Sequence, residues 1–337
     1  VVCPDDPEDY PEYECFAYER MMPKLDTANP AVREYFCEVG RYWVKNFHID
    51  GWRLDVADEL PDDFIAGLNA AAKQEKPDAL VIGEVWEDAS NKIAYSERRR
   101  YFGGGELDSV MNYPLRDAIL AYLNGGTAEH FAETMETLRE NYPRDVFYNL
   151  MNIIGTHDTA RALTVLGVMS EDWKKSRDER AHYELPPDRL ETAKRRLRLA
   201  AVIQFTMPGS PTIYYGDEAG RQGFEDPFNR RTYPWGHEDT ALLDWFRTLG
   251  RLRAERESLQ SGGITYPLAA GRVLCFARRA GDEVSLCAVN AGAESTPVDL
   301  PWAAPLAHDA LSGQSFLAEG GRLHITLAPY DALLLTE

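Results

Sequence analysis

His48-Ile49-Asp50-Gly51-Trp52-Arg53-Leu54-Asp55-Val56-Ala57 is the stretch on which the reading of the fold turns. Side chains alternate between the faces of an extended segment. Trp52, Leu54 and Val56 are therefore expected on one face, and Gly51, Arg53 and Asp55 on the other. An apolar strand that lines up Arg and Asp on its second face carries a desolvation cost unless that face serves a site. The pattern predicts a strand whose end presents Asp55 as a candidate catalytic nucleophile.

Working outward, Asn29-Pro30 supplies an N-cap and a proline at the first helical position. Val32, Tyr35, Phe36, Val39, Tyr42 and Trp43 then recur at helical spacing and feed into the Asp55 strand. Downstream, Pro61 opens a helix with Phe64, Ile65 and Leu68 on one face, and 80–86 is a short apolar strand. Strands are expected at 109–113, 146–156 and 212–215, and helices at 128–140, 188–205 (capped by Asp188) and 241–255. The charged stretch 170–187 reads as an exposed loop. Strands alternating with helices indicate parallel βαβ units, in a doubly wound sheet or part of a (β/α)8 barrel. Past Ser261-Gly262-Gly263 the pattern changes to short alternating strands, 284–289 and 323–327 among them, separated by Gly-containing turns. This predicts a separate all-β sandwich.

The 337 residues suffice for a large core and a companion domain. Lys and Arg total 36 against 55 Asp and Glu, a net charge of −19. Such a field repels nucleic acid and anionic membranes, and it suits a neutral ligand such as a sugar. No run of about 18 apolar residues is present, so no membrane span is expected. Cys3, Cys15, Cys37, Cys275 and Cys287 are odd in number and loosely spaced. They read as reduced thiols and lean towards a cytoplasmic location. The opening Val1-Val2-Cys3-Pro4 has neither an initiator Met nor a signal peptide and reads as an internal start.

Three carboxylates fall at the C-terminal ends of expected strands: Asp55, Glu84 in Ile82-Gly83-Glu84-Val85-Trp86, and Asp158 in Gly155-Thr156-His157-Asp158-Thr159. Sites of parallel α/β folds lie at those ends. Neighbouring strands lie about 4.7–4.9 Å apart, and retaining glycosidases hold two carboxyl groups roughly 5–5.5 Å apart. Glu84, among apolar neighbours and Trp86, suits the proton donor, and Arg53 would orient Asp55. Asp158 would stabilise a developing oxocarbenium charge, and His157 would donate to a sugar hydroxyl. Taken singly, each has a plainer reading. A strand-end Asp beside Arg is often a structural ion pair, Glu84 could cap a helix, and His157-Asp158 could be a turn.

Gly51-Trp52-Arg53-Leu54-Asp55-Val56-Ala57, Gly83-Glu84-Val85-Trp86 and Ile154-Gly155-Thr156-His157-Asp158-Thr159 resemble three successive signature regions of the alpha-amylase family of glycoside hydrolases. Met22-Pro23-Lys24-Leu25-Asp26 resembles the short signature of its neopullulanase, cyclomaltodextrinase and maltogenic amylase branch, with Asp26 where that signature usually has Asn. Pro208-Gly209 and Tyr214-Tyr215-Gly216-Asp217-Glu218 resemble the last barrel-strand region. The resemblance implies Asp55 as nucleophile, Glu84 as acid/base and Asp158 as transition-state stabiliser, with Arg53 and His157 holding the reacting glucose. It implies sugar contacts for Asp226 and Arg230, an aromatic beside the leaving group for Trp86, and acceptor-side contacts at Glu59. Asp58 stands where the branch commonly has Asn.

The implied architecture is a partial TIM (β/α)8 barrel, about strands 4 to 8, followed by a C-terminal β-sandwich. Residues 1–28 would be a remnant of the loop domain inserted after strand 3, residues 29–260 barrel, and residues 261–337 sandwich. The family's first signature, an Asp and a His, would lie upstream of Val1, so this polypeptide alone is expected to be inactive or poorly folded. The implied function is a retaining α-glucan hydrolase acting on α-1,4 or also α-1,6 bonds, with room for transglycosylation. An α-glucosidase or a debranching enzyme is the alternative, and a non-catalytic carbohydrate-binding relative would lack the nucleophile or the acid. No cofactor is required. Calcium sites occur in the family, but no Asp/Asn cluster here has a ligand-loop spacing, and no metal ligand is assigned. The expected partner is an α-glucan oligosaccharide, and a homodimer of the full-length protein stays open.

Overall fold

The computed structural model describes residues 13–103 and 105–337, so Cys3 and the first twelve residues of the expected loop remnant lie outside the described residues. The chain divides into two compact units, Val1–Met111 and Asn112–Glu337.

In the first unit, helix α1 (Pro30–Phe47) starts as its sequence dictates. Pro30 occupies the first turn, and Asn29 accepts from the Ala31 amide at 2.9 Å. His48 ends it in the left-handed region at φ 55. Strand β1 (Gly51–Leu54) pairs in parallel with β2 (Leu80–Gly83), Gly51 facing Leu80 and Leu54 facing Gly83. A Cβ at Gly51 would lie 1.9 Å from the Leu80 carbonyl, so only glycine permits that approach. Helix α2 (Asp62–Glu75) buries Phe64, Ile65 and Leu68, as its spacing predicts. On its other side β2 pairs in parallel with β3 (Ser109–Asn112).

Helix α1 forms where the spacing places it; along it Gly40 and Val44 are buried, whereas Tyr35, Tyr42 and Trp43 are exposed. One expectation needs correction here: both site strands are shorter than their apolar runs. β1 stops at Leu54 because Val56 turns into the left-handed region at φ 41, so Val56 does not continue the Trp52–Leu54 face. β2 stops at Gly83, not Trp86.

The second unit opens with α3 (Tyr113–Leu123), which the sequence reading missed although its signals are ordinary. Asn112 caps it by accepting from the Leu115 amide at 3.1 Å, and Pro114 lies in the first turn. α4 (Ala128–Asn141) is capped by Thr127. The expected strand at 146–156 is corrected to a short helix (Arg144–Tyr148) and a two-residue β4 (Met151–Asn152). β4 pairs in parallel with β5 (Ser210–Pro211), so the strand expected at 212–215 is also absent. Pro211 has no N–H to extend a ladder, and Gln204 ties the chain beyond it by donating to the carbonyls of Asn152 and Thr212.

The long helix α5 (Pro187–Thr206) has Pro186 as its cap residue, so Asp188 lies in the first turn and is not the cap. The charged stretch before it is structured rather than loop. Ser176 and Glu179 form a capping box for a short helix (Arg177–Ala181), and buried Asp172 pairs with Arg189 at 2.6 Å. α6 (Thr240–Glu255) is capped by Asp239.

An antiparallel sandwich follows. Its larger sheet contains β6 (Gly263–Ala270), β7 (Val273–Ala280), β8 (Glu283–Asn290), β10 (Leu306–Asp309), β11 (Ser315–Leu317) and β13 (Asp331–Thr336), in the order β11-β10-β13-β8-β7-β6. The ribbon of β9 (Thr296–Pro301) and β12 (Arg322–Leu327) covers it. Val273, Cys275, Leu286 and Ala288 of the sheet meet Val298, Leu300, Leu323 and Ile325 of the ribbon in one core. Arg278 on β7 is buried with its guanidinium on the carbonyls of Thr206 and Gly262, which satisfies the end of α5.

Candidate active site

Each unit carries its own set of site residues. In the first, adjacent parallel strands end side by side, and the chain beyond each end turns over the other. The Glu84 amide donates to Leu54 O at 2.9 Å, and the Ala57 amide donates to Glu84 O at 3.1 Å. Asp55 projects into solvent with 74% of its side chain exposed, whereas Glu84 is 4% exposed. One guanidinium serves both: Arg53 Nη1 donates to Asp55 Oδ1 at 2.5 Å, and Nη2 lies 2.9 Å from Glu84 Oε2, off the hydrogen-bond direction. Arg53 Nε points at the sulfur of Met111, 3.4 Å away.

Glu84 Oε2 also accepts from the Val56 amide at 2.9 Å, and Oε1 accepts from the Trp86 indole at 3.1 Å. Its carboxylate is therefore met by donors, Val56 from the end of the neighbouring strand and Trp86 from its own segment. Val56 delivers its amide only by adopting the left-handed conformation, which is strained for a β-branched residue. Trp86 keeps 47% exposure beside the acid.

Asp55, Arg53 and Val56 line a cavity of about 630 Å³ with Met22, Lys24 and Glu59. Lys24 donates to Glu59 Oε2 at 3.0 Å, and the Tyr95 hydroxyl donates to Glu59 Oε1. This bond and burial push the Tyr95 hydroxyl up to about 12. Tyr95 sits at the tip of a hairpin where it and Ser96 both have positive φ, 52 and 66. Sequence reading did not single out Tyr95 as a site residue, because nothing in its neighbourhood points to Glu59. Asp58 has other partners than this ion pair. It accepts from the Tyr101 hydroxyl at 2.5 Å and pairs with Lys92 at 3.0 Å.

In the second unit, Asp158 lies on a loop after β4. His157 Nε2 is 3.1 Å from Asp158 Oδ2, and Arg230 Nη2 is 3.4 Å from Oδ1. Arg230 Nε meets Asp226 Oδ1 at 3.1 Å, so four of the residues chosen from the sequence come together. Two buried residues missed in the sequence hold them. Asn229 donates from Nδ2 to the carbonyls of His157 and Thr159 at 2.7 and 2.8 Å. Arg161 Nε donates to Asn229 O at 2.8 Å, and its Nη1 meets Asp217 Oδ1 at 3.1 Å with both side chains 1% exposed. The guanidinium lies 4.1 Å from the centre of the Tyr214 ring. Burial raises the Asp217 carboxyl to about 6 against the pull of Arg161, and its Oδ2 has no partner. Gly155 is required there, because a Cβ would lie 2.4 Å from Asp217 Oδ2.

Among the described residues, no group of three or more His, Cys, Asp or Glu side chains is placed to hold a metal ion. No helix among them is long and apolar enough to cross a membrane, and Cys15, Cys37, Cys275 and Cys287 are free.

Known proteins match both parts of the chain. Residues 8–262 match the family model described as alpha amylase, catalytic domain, and residues 268–334 match maltogenic amylase, C-terminal domain. A cyclomaltodextrinase of Geobacillus thermopakistaniensis is 33% identical over 97% of this chain and 51% of its own length. Neopullulanase 2 of Thermoactinomyces vulgaris is 32% identical over 97% and 53%. A solved cyclomaltodextrinase superposes with a TM-score of 0.81 at 28% identity, covering 99% of this chain and 53% of that one. The native debranching enzyme of Nostoc punctiforme also gives 0.81, at 27% identity over 100% and 68%. The chain spans about half the length of the curated relatives it matches. Its parallel strands and their helices thus form part of a (β/α)8 catalytic barrel, followed by the antiparallel C-terminal domain. With one model ending at residue 262 and the next beginning at 268, and with relatives aligned over nearly all 337 residues, the chain belongs to the alpha-amylase family.

Proposed function

We propose that the protein is a retaining α-glucan hydrolase in which Asp55 is the nucleophile and Glu84 the acid/base. One observation carries this reading: the Arg53 guanidinium is shared by an exposed and a buried carboxylate at the ends of paired strands. Asp55 Oδ attacks the anomeric carbon as Glu84 passes its proton to the departing glycosidic oxygen, leaving a glycosyl ester on Asp55. Glu84 then takes a proton from water, whose oxygen displaces Asp55, or from a sugar hydroxyl in transglycosylation. Asp158 stabilises the oxocarbenium-like charge, with His157 beside it; Asp226 and Arg230 hold neighbouring sugars. Glu59, fixed by Lys24 and Tyr95, meets the acceptor, and Trp86 flanks the leaving group. The relatives named cyclomaltodextrinase and neopullulanase support maltooligosaccharides and cyclodextrins as substrates, with pullulan as the test of α-1,6 cleavage.

In a protein carrying this chain, Asp55→Asn is expected to cut kcat by about 10³-fold or more. Its melting temperature should stay unchanged, because the side chain is exposed. Proton NMR of early products should show the α-anomer first. A β-anomer, or an Asp55→Asn variant of near-normal activity, would overturn the assignment.

A further inference from the structure

Helix α5 carries Lys194, Arg195, Arg196 and Arg198 within five positions, in a chain whose net charge is −19. Two of these cations are accounted for. Lys194 pairs with Asp239 at 2.7 Å, and Arg196 donates to Leu166 O at 3.0 Å. Arg195 and Arg198 have no ion-pair partner among the described residues. Three positions apart, they share one helix face, where like charges repel. Both line a cleft of about 340 Å³ with Trp245, Tyr330 and Asp331.

The walls of the cleft are fixed. Arg198 lies over the Trp245 ring at 5.4 Å, and that indole donates to Arg198 O at 3.1 Å. Tyr330 is held in the left-handed region at φ 50, with Arg196 over its ring at 5.7 Å. Asp331, the carboxylate at the cleft, accepts from the Ala332 amide at 2.9 Å and lies beyond ion-pair distance of either arginine. Two guanidinium groups lining one cleft, neither of them ion-paired among the described residues, suit an oxyanion that accepts hydrogen bonds from both. The volume exceeds what one phosphate needs and falls within the range of small-ligand pockets.

We infer that this cleft binds a phosphoryl group, as inorganic phosphate or as the phosphate monoester of a sugar. Titration calorimetry of a protein carrying this chain at fixed ionic strength, with inorganic phosphate, glucose 1-phosphate and maltotriose, tests it. One saturable site is expected for both phosphates and none for maltotriose. Tighter binding of glucose 1-phosphate would identify a sugar phosphate as the ligand, and equal affinities would identify the free anion. Arg195→Ala with Arg198→Ala should weaken phosphate about tenfold or more, whereas Arg322→Ala, on the ribbon, should not. If the double Ala variant fails to melt cooperatively, the Arg195→Lys/Arg198→Lys pair replaces it and should still weaken binding, because the bidentate fork is lost. Absence of phosphate binding, undiminished affinity in the arginine variants, or maltotriose competing for the same site would overturn the inference.

Discussion

The acids of the first unit and the aspartate of the second are held by opposite means. Asp55 and Glu84 are positioned by strand adjacency and by direct contact with a single cation, Arg53. Asp158 sits on a loop whose shape depends on buried side chains that grip backbone carbonyls, with Asn229 on His157 and Thr159 and Arg161 on Asn229. In the first arrangement the holding group touches the reacting groups, so its removal should register as chemistry. In the second the holding groups lie behind the loop, so their removal should register as stability first.

The largest effect is expected where that contrast is sharpest. Arg53→Ala should lower kcat by about 10³-fold while leaving a cooperative melt, and Arg53→Lys should recover only part, because an ammonium cannot span two carboxylates as a fork. Stability loss without a kcat change would erase the distinction. Arg161→Ala should cost about 3–5 kcal/mol in urea denaturation, because it removes the cation paired with the buried Asp217.

Asp217 adds a pH signature to the second unit. Its carboxyl is raised to about 6 by burial, so the folded state favours the protonated form. The stability contributed is fully present below the ordinary carboxylate range near 4 and is lost as pH rises through about 6. Asp217→Asn should remove this slope from the stability–pH curve, and an unchanged slope would place the titration elsewhere. Asn229→Ala should cost about 1–3 kcal/mol through unsatisfied carbonyls and raise KM more than it lowers kcat. The smallest effect belongs to Val56→Gly. Relief of the left-handed strain is offset by backbone freedom, so stability should rise by at most about 1 kcal/mol. A large loss would mean that the valine side chain, and not its amide, holds Glu84.

Much of this was legible in the sequence because it is local. Period-two alternation placed β1, the capping Asn29 and Pro30 placed the start of α1, and strand ends singled out Asp55, Glu84 and Asp158. The failures share a physical cause. Alternation continues through Val56, but the turn there answers to Glu84, 28 residues away. Apolar content at 146–156 suited a strand equally well, and Pro143 with its following turn decided for helix. The hub formed by Arg161 and Asn229 joins residues 68 apart in the chain, and no spacing rule connects them. The resemblance supplied roles for Asp226 and Arg230 but not for the asparagine between them.

Arg53's double duty has a consequence for the proposed reaction as a whole. Before attack, Asp55 is the anion and Glu84 holds the proton; in the covalent intermediate Asp55 is an uncharged ester and Glu84 the anion. At either stage the guanidinium faces a single negative charge, which has moved from one of its ends to the other. The pair therefore changes state without altering the total charge of this cluster. The cation need not swing or recruit a counterion between the two half-reactions, and the total charge beside it is the same at the end of each as at its start.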